Sequence, residues 1–97
     1  MTIEILDKAE DDLVHGFAFY ESQQSGLGAY FRESLSADIE SLRIHGGVHR
    51  VVYRDYYRAL SKRFPFAIFY TVSGDIAFIQ AVVDCRRKPA WIKEHLK

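Results

Sequence analysis

The sequence has one cysteine, Cys85, so no disulfide can close within the chain. No apolar run approaches the roughly 20 residues that a membrane-spanning helix needs, and no basic start leads into an apolar signal segment. These absences imply a cytoplasmic, reduced protein with no membrane association. Cys85 itself is expected to act as a small buried apolar residue rather than a reactive thiol. The four histidines, His15, His45, His49 and His95, include no HxxxH pair on a helix, and a lone cysteine adds little to them, so no metal site is expected. There is no P-loop, no GxGxxG and no Ser/His/Asp set, so no cofactor is implied. Net formal charge is zero and therefore says nothing about partners.

What is present describes a folded chain. Hydrophobic residues make up 48% and charged residues 27%, a globular composition rather than a disordered one. Ninety-seven residues suffice for a single domain, 1–97, and are too few for two. The charge is unevenly placed. Residues 1–44 hold only Lys8, Arg32 and Arg43 against nine carboxylates, whereas residues 45–97 hold ten cations against Asp55, Asp75, Asp84 and Glu94. Such asymmetry suggests an anionic partner for the second half. It is equally what acidic solvated helices attracting a basic sheet would give.

Periodicity divides the chain in the same place. "TIEIL" (2–6) alternates as a strand. Asp7, with Glu10 three residues on, forms a capping-box-like start to a helix whose apolar positions Ala9, Leu13, Phe17 and Tyr20 run to about Gln23. "QSGLG" interrupts it. A second helix is expected from Leu27 to Ile44 on the stripe Leu27, Phe31, Leu35, Ile39 and Leu42. The short Gly-containing turn makes the two an antiparallel hairpin. After Gly46-Gly47 the pattern is extended: residues 49–64 form a first stretch broken near Asp55. "FAIFYTV" (66–72) is apolar on both faces, as in a central strand, and 75–84 returns from a Ser73-Gly74 turn. Pro65 belongs at a strand start or edge, and Pro89 can open a short last helix. The predicted order is β-α-α-β-β-β with a short C-terminal helix. This is an α+β class in which an N-terminal strand and helical hairpin pack on one face of a twisted, mainly antiparallel sheet.

The chemistry concentrates at "VVDCRRKPAW" (83–92), where an apolar strand ends in Arg86, Arg87 and Lys88, followed by the only tryptophan, Trp91. Strand alternation puts Arg58 and Lys62 on one face of the 58–63 segment and Arg63 on the other. If that segment and the last strand flank residues 66–72, Arg58, Lys62, Arg63, Arg86, Arg87 and Lys88 can converge with Trp91 as a target-binding surface for phosphate or an acidic peptide. Cations on an exposed strand also serve simply to discourage edge pairing. Cleaving RNA would need, besides charge stabilisation by Arg58, Lys62, Arg86 and Arg87, an acid and a base. Asp84, His49, Tyr70 and His95 are the candidates, and no spacing singles one out.

Three segments, "AEDDLVHGFAFYESQQSGLGAYF", "RALSKRFPFAIFYTV" and "IAFIQAVVDCRRKPAW", together resemble the RelE/ParE superfamily of toxins from bacterial type II toxin–antitoxin modules. The likeness spans nearly the whole chain and is nearer the ParE-like, plasmid-stabilisation pattern. It implies a cognate antitoxin whose C-terminal segment wraps the toxin. It implies one of two targets, DNA gyrase for ParE-like members or the ribosome with its mRNA for RelE-like endoribonucleases. Where relatives often carry a His and a small residue before the arginine pair and an Asp after it, this chain has Asp84, Cys85 and Lys88. The missing His lowers the nuclease reading. The expectation is a growth-arresting gyrase inhibitor, with a ribosome-dependent nuclease or a non-toxic antitoxin-binding relative as alternatives.

Overall fold

Alternating Ile3 and Ile5 place the first strand, β1 (Thr2–Ile5), beside the last, and a computed structural model describes how residues 1–97 connect them. Helices α1 (Asp7–Gln23), α2 (Leu27–Glu40) and α3 (Leu42–His45) follow, then strands β2 (Arg50–Tyr53), β3 (Tyr56–Leu60), β4 (Phe66–Ser73) and β5 (Ile76–Asp84), and helix α4 (Pro89–His95). The sheet order is β1-β5-β4-β3-β2. β1 runs parallel to β5, and every other pair is antiparallel. The α+β class and the hairpin on a mainly antiparallel sheet are as expected from the sequence. No helix is long and apolar enough to cross a membrane.

Two boundaries differ from expectation, each for a local reason. Asp7 is the first helical residue and Leu6 is the N-cap; Asp7 makes no capping bond and instead joins Glu10 in a first turn that the helix dipole favours. The helix expected to continue to Ile44 stops at Glu40, where the Ser41 hydroxyl donates to the Asp38 carbonyl at 2.6 Å and so competes for a helical acceptor. The break expected near Asp55 in the 49–64 stretch is present: Arg54 takes a left-handed φ of 51° between the opposed Tyr53 and Tyr56 and divides the stretch into two strands.

The helical hairpin closes on glycines. Gly26 adopts φ 89°, and the Glu21 carboxylate accepts the Gly26 and Gly28 amides at 3.1 and 2.9 Å. At Gly16 the helices meet so closely that an added Cβ would lie 2.5 Å from the Phe31 ring. The stripe Phe31, Leu35, Ile39 and Leu42 is buried against Phe66, Ile68, Tyr70, Ile79 and Val82 on one face of the sheet. Each such side chain contributes about 1.5–3 kcal/mol of burial.

The opposite face carries Ala67, Phe69, Ala81 and Val83, covered by Leu96 and Ile92 at the end of the chain. The Tyr56 hydroxyl donates to the Leu96 carbonyl at 2.7 Å and ties that end down. Helices therefore lie on both faces, not on one alone. A bulge at Gln80, between the pairs Phe69↔Ala81 and Tyr70↔Ile79, returns Val82 to the hairpin face and re-aims the last residues of β5.

Candidate functional site

The end of β5 is built around two separate arginine arrangements. Asp84 Oδ1 accepts the Arg86 amide at 2.8 Å and its Nε at 2.9 Å, while Arg86 Nη2 reaches Oδ2 at 2.6 Å. This short turn folds Arg86 back onto the strand end in a bidentate pair. Hydrogen bonds from Arg86 hold the Asp84 carboxyl below its ordinary range, and Asp84 in turn raises Arg86. The neighbouring Tyr20 phenol is pushed up by burial, and the Arg86 charge partly offsets the push.

Arg87 turns the other way. Its guanidinium lies 4.3 Å from the centre of the Trp91 ring, and Trp91 stacks on His95 at 4.7 Å with the rings 13° apart. The i,i+4 spacing on α4 brings Trp91 and His95 together. His95 Nε2 lies 2.9 and 3.1 Å from the two Asp12 oxygens, and Asp12 Oδ2 also accepts the Val82 amide at 2.9 Å. β1 stops at Ile5↔Ile79, so the outer edge of β5 is unpaired at Val82, and Asp12 from α1 satisfies it. The column Asp12–His95–Trp91–Arg87 thus links α1, β5 and α4. Beside it opens a cleft of about 310 Å³, with His15, Phe19, Phe66 and Asp84 also in its walls.

The remaining predicted cations sit elsewhere. Arg58 is on β3, opposite Arg50 and Phe69, on the face that α4 covers. Lys62 and Arg63 follow β3 in a loop that turns toward α2, where they line a hollow of about 280 Å³ with Ser34 and Asp38. Lys88 is the exposed N-cap of α4. Arg86, Arg87, Lys88 and Trp91 therefore share one rim, and Lys62 and Arg63 share another place. Cys85, expected to be buried, is exposed in the turn between Asp84 and Arg86. Its thiol is nonetheless pushed up, chiefly by desolvation and against the pull of Arg58, which disfavours a reactive thiolate.

The four proton-transfer candidates separate into two neighbourhoods. The Tyr70 hydroxyl accepts the Gly47 amide at 3.0 Å and lies 2.5 Å from His49 Nδ1. A neutral His49 with Nδ1 unprotonated accepts the Tyr70 O–H, and the other tautomer donates its Nδ1–H to the Tyr70 oxygen. Burial lowers His49 and raises Tyr70, both toward the neutral forms. This pair faces α3, away from the arginine rim. Asp84 is held by Arg86, and His95 is held by Asp12 at the cleft.

No protein-family model matches the chain, and no curated protein does. The fold is nevertheless shared with a solved structure. A chain of the chromosomal ParDE TA system from P. aeruginosa matches with a TM-score of 0.76 at 18% sequence identity, covering 87% of this chain and 95% of that one. At that identity the likeness is one of fold. In the cleft, the residues missed by sequence reasoning are Asp12, Phe19 and His15. Asp12 reads as one more acid near a helix start, and nothing in the sequence connects it to His95, 83 positions away. Phe19 left a signal, an aromatic residue off the buried stripe Ala9, Leu13, Tyr20.

Proposed function

We propose that this protein is the toxin of a type II toxin–antitoxin module, arresting growth by ParE-like inhibition of DNA gyrase and neutralised by a cognate antitoxin. The fold shared with the ParDE-system chain supports the toxin reading, together with the ordered motifs that resemble the superfamily. The state of the arginine rim favours a binding mode over hydrolysis. Asp84 is committed to Arg86, and the His49–Tyr70 pair faces away, so neither can serve a phosphodiester held at Arg87 and Lys88. Inhibition by binding needs only the rim itself: cations, Trp91 and a shaped cleft.

One observation favours the nuclease reading instead. His95 is oriented by a carboxylate, as a general base would be, within the stack that carries Arg87. The two readings separate cleanly in experiment. The purified chain should inhibit gyrase-catalysed supercoiling while leaving translation running, and Arg87→Ala should reduce toxicity more than it reduces folding. Unaffected supercoiling, with transcripts cut inside translated codons by primer extension and that cutting abolished by His95→Ala, overturns the gyrase reading in favour of the nuclease. Harmless overexpression without any antitoxin overturns both.

A further inference from the structure

The loop after β3 leaves two cations and one buried hydroxyl around a hollow that the arginine rim does not use. Ser34 on α2 is 5% exposed, and its Oγ is the one buried side-chain polar atom in the chain with no hydrogen-bond partner. A buried hydroxyl left unpaired costs stability, and native chains keep few of them. Ser34 lies in the wall of the hollow of about 280 Å³ with Lys62 and Arg63. Both cations are exposed, and neither has a carboxylate within ion-pairing distance. Asp38, in the same wall, forms no ion pair with them; its Oδ2 accepts the Ser61 hydroxyl at 2.7 Å, which ties the loop to α2. Asp38 and Lys62 are shared with a second hollow of about 320 Å³, whose walls include Ser41, His45 and His49. Neither hollow has a Phe, Tyr or Trp in its walls.

We propose that these joined hollows bind a small sugar phosphate, its phosphate held by Lys62, Arg63 and the Ser34 hydroxyl and its own hydroxyls by Asp38 and the polar wall beyond. The lysine supplies a point charge, the arginine a planar fork suited to phosphate oxygens, and the serine a neutral donor. Size follows from the two hollows. Each alone stands at the small end of ligand sites, which span roughly 300–1,000 Å³, and the two together fall within that range. Asp38 sets the charge that is accepted. It stands where the hollows join, so it accepts from a neutral hydroxyl and repels a second anionic group, which disfavours a bisphosphate or an acidic peptide. The lack of a Phe, Tyr or Trp disfavours a nucleobase, which nucleic-acid sites hold by stacking. The site is independent of the toxin reading, because no residue of the arginine rim lines either hollow.

The intact chain is titrated with ribose 5-phosphate at constant ionic strength and followed by the backbone amide resonances of Ser34, Lys62 and Arg63. These should move together and saturate, while the indole resonance of Trp91, which lines neither hollow, stays in place. Unphosphorylated ribose should move nothing, and inorganic phosphate should bind about tenfold more weakly for want of the hydroxyl contacts. Arg63→Ala and Lys62→Ala, both at exposed positions, should each weaken ribose 5-phosphate about tenfold. Ser34→Ala distinguishes a ligand contact from packing by opposite signs. Deleting the orphaned hydroxyl should raise the melting temperature of the free chain and yet weaken ribose 5-phosphate by about three- to tenfold. A Ser34→Ala chain that binds as well as the parent overturns the proposal. Inorganic phosphate binding as tightly as ribose 5-phosphate reduces the site to an adventitious ion only and overturns it too. Tighter binding of adenosine 5′-monophosphate, an equal response to acetyl-Glu-Glu-Glu amide, or no response to ribose 5-phosphate does the same.

Discussion

Removing the Asp12 carboxylate should loosen α4 more than any other single change to that helix's surroundings. Asp12→Ala deletes the acceptor for the Val82 amide, on a residue only 2% exposed, and leaves His95 without its partner. An orphaned buried donor costs about 1–3 kcal/mol, and the overlapping loss at His95 brings the expected total to about 2–4 kcal/mol. For a chain of this size that is a fall of roughly 10–30 °C in Tm. Asp12→Asn keeps a carbonyl oxygen for Val82 and should cost only about 1 kcal/mol. Thermal and urea denaturation measure these directly. In a double-mutant cycle with His95→Ala, the pair should couple by about 1 kcal/mol. Hydrogen exchange adds a local readout, with faster exchange at Val82 and through α4 in Asp12→Ala. A cost below about 0.5 kcal/mol, the range of an ordinary surface change, would refute the bridging role. An Asn variant as costly as the Ala variant would show that charge, not the acceptor, matters.

The other expectations are independent of this bridge. Gly16→Ala should cost about 1–3 kcal/mol by overpacking, because the new methyl would meet the fully buried Phe31 ring, and a denaturation midpoint reads it. His49 has a folded pKa held below its ordinary value of about 6.5, chiefly by burial. Its contribution to stability is therefore complete above that value and lost as pH falls through the lowered folded one. Denaturation midpoints should decline over that window in the wild type and less so in His49→Gln. Asp84 follows the same sign. Its carboxyl is depressed mainly by Arg86, so the stability it supplies is present above about pH 3.9 and lost as pH falls through the folded value; Arg86→Ala should flatten that acid limb.

Much of the architecture is legible because burial imposes periodicity. The stripe from Leu27 to Leu42 keeps a 3.6-residue spacing, since each of those side chains must reach the same sheet face. The double-sided apolar run 66–72 marks a central strand because β4 is covered on both sides, by the hairpin and by α4. What covers the second face is less legible. α4 is one short helix that contributes Ile92 and Leu96, and two apolar residues four apart make a weak pattern beside Lys93, Glu94 and Lys97. The end of the α2 stripe misleads for a different reason. Leu42 keeps its core position because Ser41 itself stays in the helical region, at φ −61° and ψ −20°, so periodicity continues through it while the ladder of hydrogen bonds does not.

The site divides along the same line between local and distant causes. Alternation correctly assigns Arg58 to a face, but the strand ends at Leu60, and from there the chain leaves the sheet toward α2 and carries Lys62 and Arg63 with it. A face assignment is meaningful only while the backbone stays extended. At "DCRR" the relevant interaction is contained in the sequence itself, since an aspartate two residues before an arginine at a strand end can accept its amide and pair with its guanidinium. Adjacent arginines must then part, and Arg87 is left to find its own support on Trp91. The support for Trp91 comes from His95, and for His95 from Asp12, across almost the full length of the chain. The arginine that is satisfied locally is thus the one least free to bind a partner. The one held through long-range contacts keeps an edge open, which makes Arg87, rather than Arg86, the residue whose loss should be felt by any partner bound at this rim.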